Sequence, residues 1–172
     1  IALPAKAPLK IDGDLSPWGD AAQFQAAIDD PEQVIMGIPY TKLYMMNQHV
    51  DWAGTNDLSA RAAVQYDDDN LYIAVRVRDN KVMNLARNEP IYIYEGDCIE
   101  LFLDGRGPAD QGSPTYTEGV YHIKFAPSMD PALPPFHHVS KPKRGMDISG
   151  MAYASKLLPD GYTYIVKIPR AA

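Results

Sequence analysis

The chain has 172 residues, a formal net charge of −6, 46% hydrophobic and 22% charged residues, and one cysteine. That length is one domain able to bury a core, with the composition of a soluble globular protein. The acidic balance argues against a nucleic-acid partner, which needs a basic stripe. No apolar run reaches the ~20 residues of a membrane span, and a lone Cys98 allows neither an internal disulfide nor a thiolate zinc site.

In chain order, the start at Ile1 fits a cleaved secretory signal or a domain cut from a longer protein. Trp18 follows the turn at 11–17 and opens a short helical segment, with packing as its expected role. Residues 29–57 form a long irregular insertion holding Tyr40, Tyr44, Met45, Met46, His49 and Trp52. Trp52 there is a candidate exposed platform.

Ser59 to Tyr66 alternates, Asp67 to Asn70 is a turn, and Leu71 to Arg78 alternates again, which predicts a β-hairpin. Its second strand turns Leu71, Ile73, Val75 and Val77 inward and Tyr72, Arg76 and Arg78 outward. Asp97 to Asp104 is the next strand, with Ile99, Leu101 and Leu103 on one face and Cys98, Glu100 and Phe102 on the other. Val120 to Phe125 turns Tyr121, Ile123 and Phe125 inward and Val120, His122 and Lys124 outward. Residues 127–142 hold five prolines and read as an irregular loop. Met151 to Leu158 and Gly161 to Ile168 make a second hairpin. Helical periodicity is nearly absent, so the expected fold is all-β: an antiparallel β-sandwich of jelly-roll or immunoglobulin-like kind, one domain over 1–172.

Glu100 is a carboxylate at the centre of an apolar strand, costly unless a partner or ligand meets it. Asp97 and Glu100 fall on opposite strand faces, so they cannot flank one glycosidic bond. Glu100 and Asp104 share a face but stand ~13 Å apart at ~3.3 Å per residue, beyond the roughly 6.5–9.5 Å of inverting glycosidases. Nucleophile and phosphate-loop motifs are absent, and the Cys98 thiolate beside Glu100 is disfavoured. The chain therefore reads as non-catalytic. If their strands are neighbours, Glu100 and His122 meet on one exposed surface. Tyr92 and Tyr94 stand before that strand and offer a flat apolar plate, and plate plus carboxylate is the chemistry of sugar recognition. His137 and His138, adjacent in a loop, diverge and lack a third ligand of motif spacing. No metal ligand set can be named; a structural calcium ion is the one cofactor that the acidic loops leave open.

These pieces resemble the family 9 carbohydrate-binding modules and their DOMON-like relatives. The segments that carry the likeness are Ile11-Asp12-Gly13 with Trp18, 67–79, 94–104 with its aromatic-x-x-D-x-I-E pattern, 121–125 and 161–169. The resemblance implies a β-sandwich that binds sugars between aromatic plates. Tyr94 stands at the first plate, Glu100 at the strand glutamate that bonds hydroxyls, and His122 where the family has an arginine. It also implies further strands beyond Ala172, bearing the second plate, so either the domain is C-terminally incomplete, as is expected, or Trp52 or a tyrosine of the insertion replaces that plate. Additional domains of the same polypeptide or a strand-completing partner would then cover the open edges. The expected function is a carbohydrate-binding module, extracellular or periplasmic, serving a larger polysaccharide-processing enzyme. A haem-binding electron-transfer domain is the second reading, because DOMON-like relatives include b-type cytochromes; Met45, Met46, His122, His137 and His138 are its candidate axial ligands. A structural sandwich that has lost sugar binding is the third.

Overall fold

The computed structural model describes residues 2–5, 9–19, 26–30, 52–84, 93–94, 96–109, 117–129, 135–141 and 148–170. The insertion residues Tyr40, Tyr44, Met45, Met46 and His49, and Tyr92, lie outside them. Nine strands are described: β1 (Leu3–Pro4), β2 (Ala26–Ile28), β3 (Leu58–Tyr66), β4 (Asn70–Asp79), β5 (Ile99–Asp104), β6 (Val120–Ala126), β7 (Phe136–Lys141), β8 (Ala152–Leu158) and β9 (Gly161–Pro169). The larger sheet runs β1-β3-β4-β9-β8, with β2 also paired to β3, and the smaller runs β5-β6-β7. The two pack as a sandwich.

Both predicted hairpins are present. In the first, the Asp67 carboxylate accepts the backbone N–H groups of Asp69 and Asn70, which closes the turn between β3 and β4. In the second, Gly161 follows the turn with φ 133°, and a Cβ there would stand 2.2 Å from the Val77 carbonyl oxygen of the neighbouring strand. Only glycine allows β9 to pair with β4 so closely at that point.

The sandwich core follows the alternation. Val77, Tyr162, Tyr164, Val166 and Ile168 from the larger sheet meet Ile123, Phe125 and Val139 from the smaller, with Ile73, Val75, Ile99, Leu101, Leu103 and Tyr121 around them. Tyr72, expected outward, is buried instead. The segment carrying Leu9, Ile11, Leu15 and Trp18 lies across the other face of the larger sheet and packs on Ala63, Tyr72, Ala74 and Ile165. Trp18, in a 3₁₀ turn at Ser16–Trp18, is only 1% exposed and is the plug of this second layer. The Thr163 hydroxyl donates to the Gly13 carbonyl at 2.5 Å and ties that layer to β9. The larger sheet is thus covered on both faces, which one-sided alternation does not reveal.

A second correction concerns 127–142, where β7 replaces part of the expected loop and pairs with β6 from Phe136 to Lys141. Prolines flank this strand rather than interrupt it, so its backbone N–H groups remain available for pairing.

Candidate functional site

The outer face of the smaller sheet gathers the chemistry. The antiparallel register sets Glu100 opposite Lys124 and Phe102 opposite His122, and Lys124 opposite His138 on the far side. Residues paired this way share a face with their side chains in contact range. The imidazole Nε2 of His122 stands 2.7 Å from Glu100 Oε2, and Lys124 Nζ stands 3.5 Å from Glu100 Oε1. A carboxylate only accepts, so the His122 nitrogen facing it donates. Glu100 is thereby fixed between two donors, and the cost of a carboxylate in an apolar strand is offset.

Aromatic rings flank this group on both sides. Phe102 stacks on His122 with ring centroids 4.1 Å apart and an interplanar angle of 15°, yet remains 55% exposed. Tyr94 is 44% exposed, and the Lys124 ammonium lies 4.5 Å from its ring centroid, a cation–π distance. The position of Tyr94 has a local cause. Ile93 is fully buried against Ala126, with Cys98 and Phe136 packed around them on the next row of the same face. This anchor holds the following residue, Tyr94, over Lys124.

The structure therefore brings Tyr94, Glu100 and His122 together. Trp52 is held elsewhere, its indole N–H donating to the Leu58 carbonyl at 2.7 Å, at the start of β3 in the larger sheet. Sequence reasoning assigned no role to Phe102 or Lys124. The signal was present, since each lies two residues from a named site residue and so on the same face of its strand. Burial pushes the Cys98 thiol up to about 11, and the charge of Glu100 adds to the effect, so its thiolate is disfavoured as expected.

His137 and His138 do diverge: His137 Nδ1 lies 2.5 Å from the Tyr153 hydroxyl of the larger sheet, whereas His138 pairs with outward-facing Lys124. The haem reading's histidines are thus divided between two faces. Among the described residues no three His, Cys, Asp or Glu side chains are grouped to hold a metal ion. The Asp12, Asp14 and Asp67 carboxylates accept backbone N–H groups in their own turns. No helix among the described residues is long and apolar enough to cross a membrane.

Asp97, at the foot of β5, ties that strand to the segment that follows β4. Its N–H donates to the Met83 carbonyl at 2.7 Å, and its carboxylate accepts the Met83 N–H. Burial first, then a hydrogen bond shared with the Asp79 carboxyl, pushes the Asp97 carboxyl from an ordinary value of 3.8 up to about 7. Between those values the folded chain keeps a proton that the unfolded chain has released. The stabilisation is complete below about 4 and is lost as pH rises through about 7. Asp97→Asn should flatten this dependence and raise the urea midpoint at pH 8 above that of the unsubstituted protein. Parallel midpoint-against-pH curves for the two proteins would contradict the assignment.

A separate cleft of about 620 Å³ opens at one end of the sandwich, lined by Tyr66, Leu71, Leu103, Tyr121, Ile148 and Ile168 among others. Leu103 and Tyr121 neighbour Phe102 and His122 in sequence but face the interior. Largely apolar, the cleft also has Asn70, Arg170 and the Asp104 carboxylate in its lining, the last held by the Arg106 guanidinium and backbone N–H.

A fixed carboxylate between two donors, flanked by exposed rings on an open sheet face, places the molecule in the class of β-sandwich binding modules. The chain belongs to the family described as Carbohydrate family 9 binding domain-like, whose model matches residues 38–172. No curated protein matches the chain. Among solved structures, a carbohydrate binding module family 9 from Caldicellulosiruptor kristjanssonii in complex with cellotriose shares the fold with a TM-score of 0.60 at 19% identity, covering 100% of this chain and 68% of that one. The same organism's module in complex with glucose gives a TM-score of 0.58 at 20% identity, covering 98% and 68%.

Proposed function

We propose that this chain is a non-catalytic carbohydrate-binding module and that its ligand sits on the outer face of the smaller sheet. The observation that carries the reading is Glu100, held between His122 and Lys124 with Phe102 and Tyr94 exposed on either side. The apolar C–H face of a pyranose stacks on Phe102, with Tyr94 beside it, while Glu100 accepts from adjacent hydroxyls and Lys124 donates to another. The Phe102–His122 stack supplies a rigid plate where the sequence pointed to Tyr94 aided by Trp52. Family membership, and solved relatives that hold cellotriose and glucose, support the ligand class. The wider role proposed is outside the cytoplasm, serving a larger polysaccharide-processing enzyme. Affinity is modest, because an open face must offset desolvation of many hydroxyls. Amide chemical shifts followed through a cellotriose titration test the placement, with the changes expected at 94, 100–102 and 122–124.

A further inference from the structure

We propose, resting on the sugar-binding reading above, that His122 serves the site as a hydrogen-bond acceptor through Nδ1, so that the face binds sugar with the imidazole neutral and releases it on acidification. The tautomer follows from the neighbours. Nε2 lies 2.7 Å from the Glu100 carboxylate, which only accepts, so Nε2 carries the hydrogen. In the neutral ring Nδ1 is then a bare lone pair. Among the described residues Nδ1 has no hydrogen-bond partner, and the Trp18 indole nitrogen is the one buried polar side-chain atom left unpaired. Nδ1 is therefore open to solvent. The Phe102 ring, stacked on the imidazole at 4.1 Å and 15°, fixes the ring plane and with it the direction of that lone pair.

A sugar settling on Phe102 displaces water from this nitrogen. An acceptor stripped of water and left unpaired is costly, so the ligand must supply a donor there, and a hydroxyl does so. Protonation changes that contact and little else. The imidazolium keeps its N–H toward Glu100, while Nδ1 gains a hydrogen and becomes a donor. The hydroxyl that donated to Nδ1 loses its acceptor, and a neutral sugar brings no countercharge to the ion it covers. Histidine is the side chain whose charge changes between about pH 5 and 8. Among the described residues, the charged and titratable groups around this imidazole come from three strands. They are Glu100 and Asp104 on β5, Lys124 on β6 with Tyr94 over it, and His138 and Lys141 on β7. Asp104 is taken up by Arg106, and Glu100 is the group hydrogen-bonded to the ring.

Calorimetric titration with cellotriose from pH 8 down to pH 5 is the test. Affinity should fall about tenfold across that range. At pH 6, titrations in buffers of different ionisation enthalpy should show protons released on binding. In His122→Gln, whose amide keeps a donor toward Glu100 and does not titrate, affinity should be level with pH. Asp97→Asn should keep the dependence, which separates His122 from the Asp97 carboxyl that titrates in the same range. Imidazole nitrogen shifts of the unsubstituted protein at pH 8 should place the hydrogen on Nε2, and cellotriose should move the Nδ1 resonance. Affinity that is level with pH, or that rises on acidification, would overturn the inference and leave the sugar-binding reading intact, as would a hydrogen on Nδ1 at pH 8. Failure of cellotriose to bind at any pH would overturn that reading and this inference with it.

Discussion

Glu100→Ala should lower cellotriose affinity about 100-fold or more. Hydrogen bonds to a charged group contribute about 1.5–3 kcal/mol each, and a carboxylate serving two adjacent hydroxyls loses both, at a factor of ten per ~1.4 kcal/mol. The substitution acts a second time, because it leaves Lys124 without its carboxylate and His122 without its acceptor. Both then lose the geometry that aims them at the ligand. The fold should survive, since Glu100 faces away from the sandwich core. Circular dichroism unchanged alongside lost binding is the expected pair of results. Calorimetry that shows undiminished affinity in the folded variant would remove Glu100 from the site.

The largest effect on stability should come from Trp18→Ala, at about 3–5 kcal/mol, the range for deleting a large buried aromatic. Trp18 is the widest side chain of the layer that covers Ala63, Tyr72, Ala74 and Ile165, and its loss opens a cavity over the larger sheet. Its indole N–H finds no acceptor among the described residues. Trp18→Phe, which removes that buried donor, should therefore cost much less than Trp18→Ala. Urea denaturation measures both. Sugar binding by the folded fraction should be retained, since the proposed binding face belongs to the other sheet. A Trp18→Ala cost below about 1 kcal/mol would show that the N-terminal segment is a dispensable cover.

Local pattern carried much of this architecture. Alternation of apolar residues places both hairpins and the inner faces of β5 and β6, because the two-residue period of a strand is written directly into the chain. It does not reveal which strands pair across long separations. The β4–β9 pairing joins residues some ninety positions apart and rests on Gly161, whose role is visible only once Val77 is its neighbour. Nor does alternation show that Tyr72 is covered, because that burial comes from a distant segment. β7 was hidden by its flanking prolines and by a run of residues without a clean period.

The site was legible to a similar depth. Glu100 stood out by its cost, and its meeting with His122 followed once β5 and β6 proved adjacent. Phe102 and Lys124 were assigned to the correct face, yet an exposed phenylalanine becomes a plate only when a histidine stacks beneath it. The lysine becomes part of a site only when Tyr94 is folded over it. Those are tertiary facts, set by the burial of Ile93 and by strand register. Trp52 was a candidate by residue type alone, and its indole is engaged by Leu58 in the larger sheet.

The central claim is that sugar binds the outer face of the smaller sheet, and the cellotriose titration followed by amide chemical shifts tests it most directly. Saturable changes centred on Tyr94, Glu100, Phe102, His122 and Lys124 are predicted. Changes centred instead on the cleft at Leu71, Leu103, Ile148 and Ile168, or no change at saturating sugar, would contradict it.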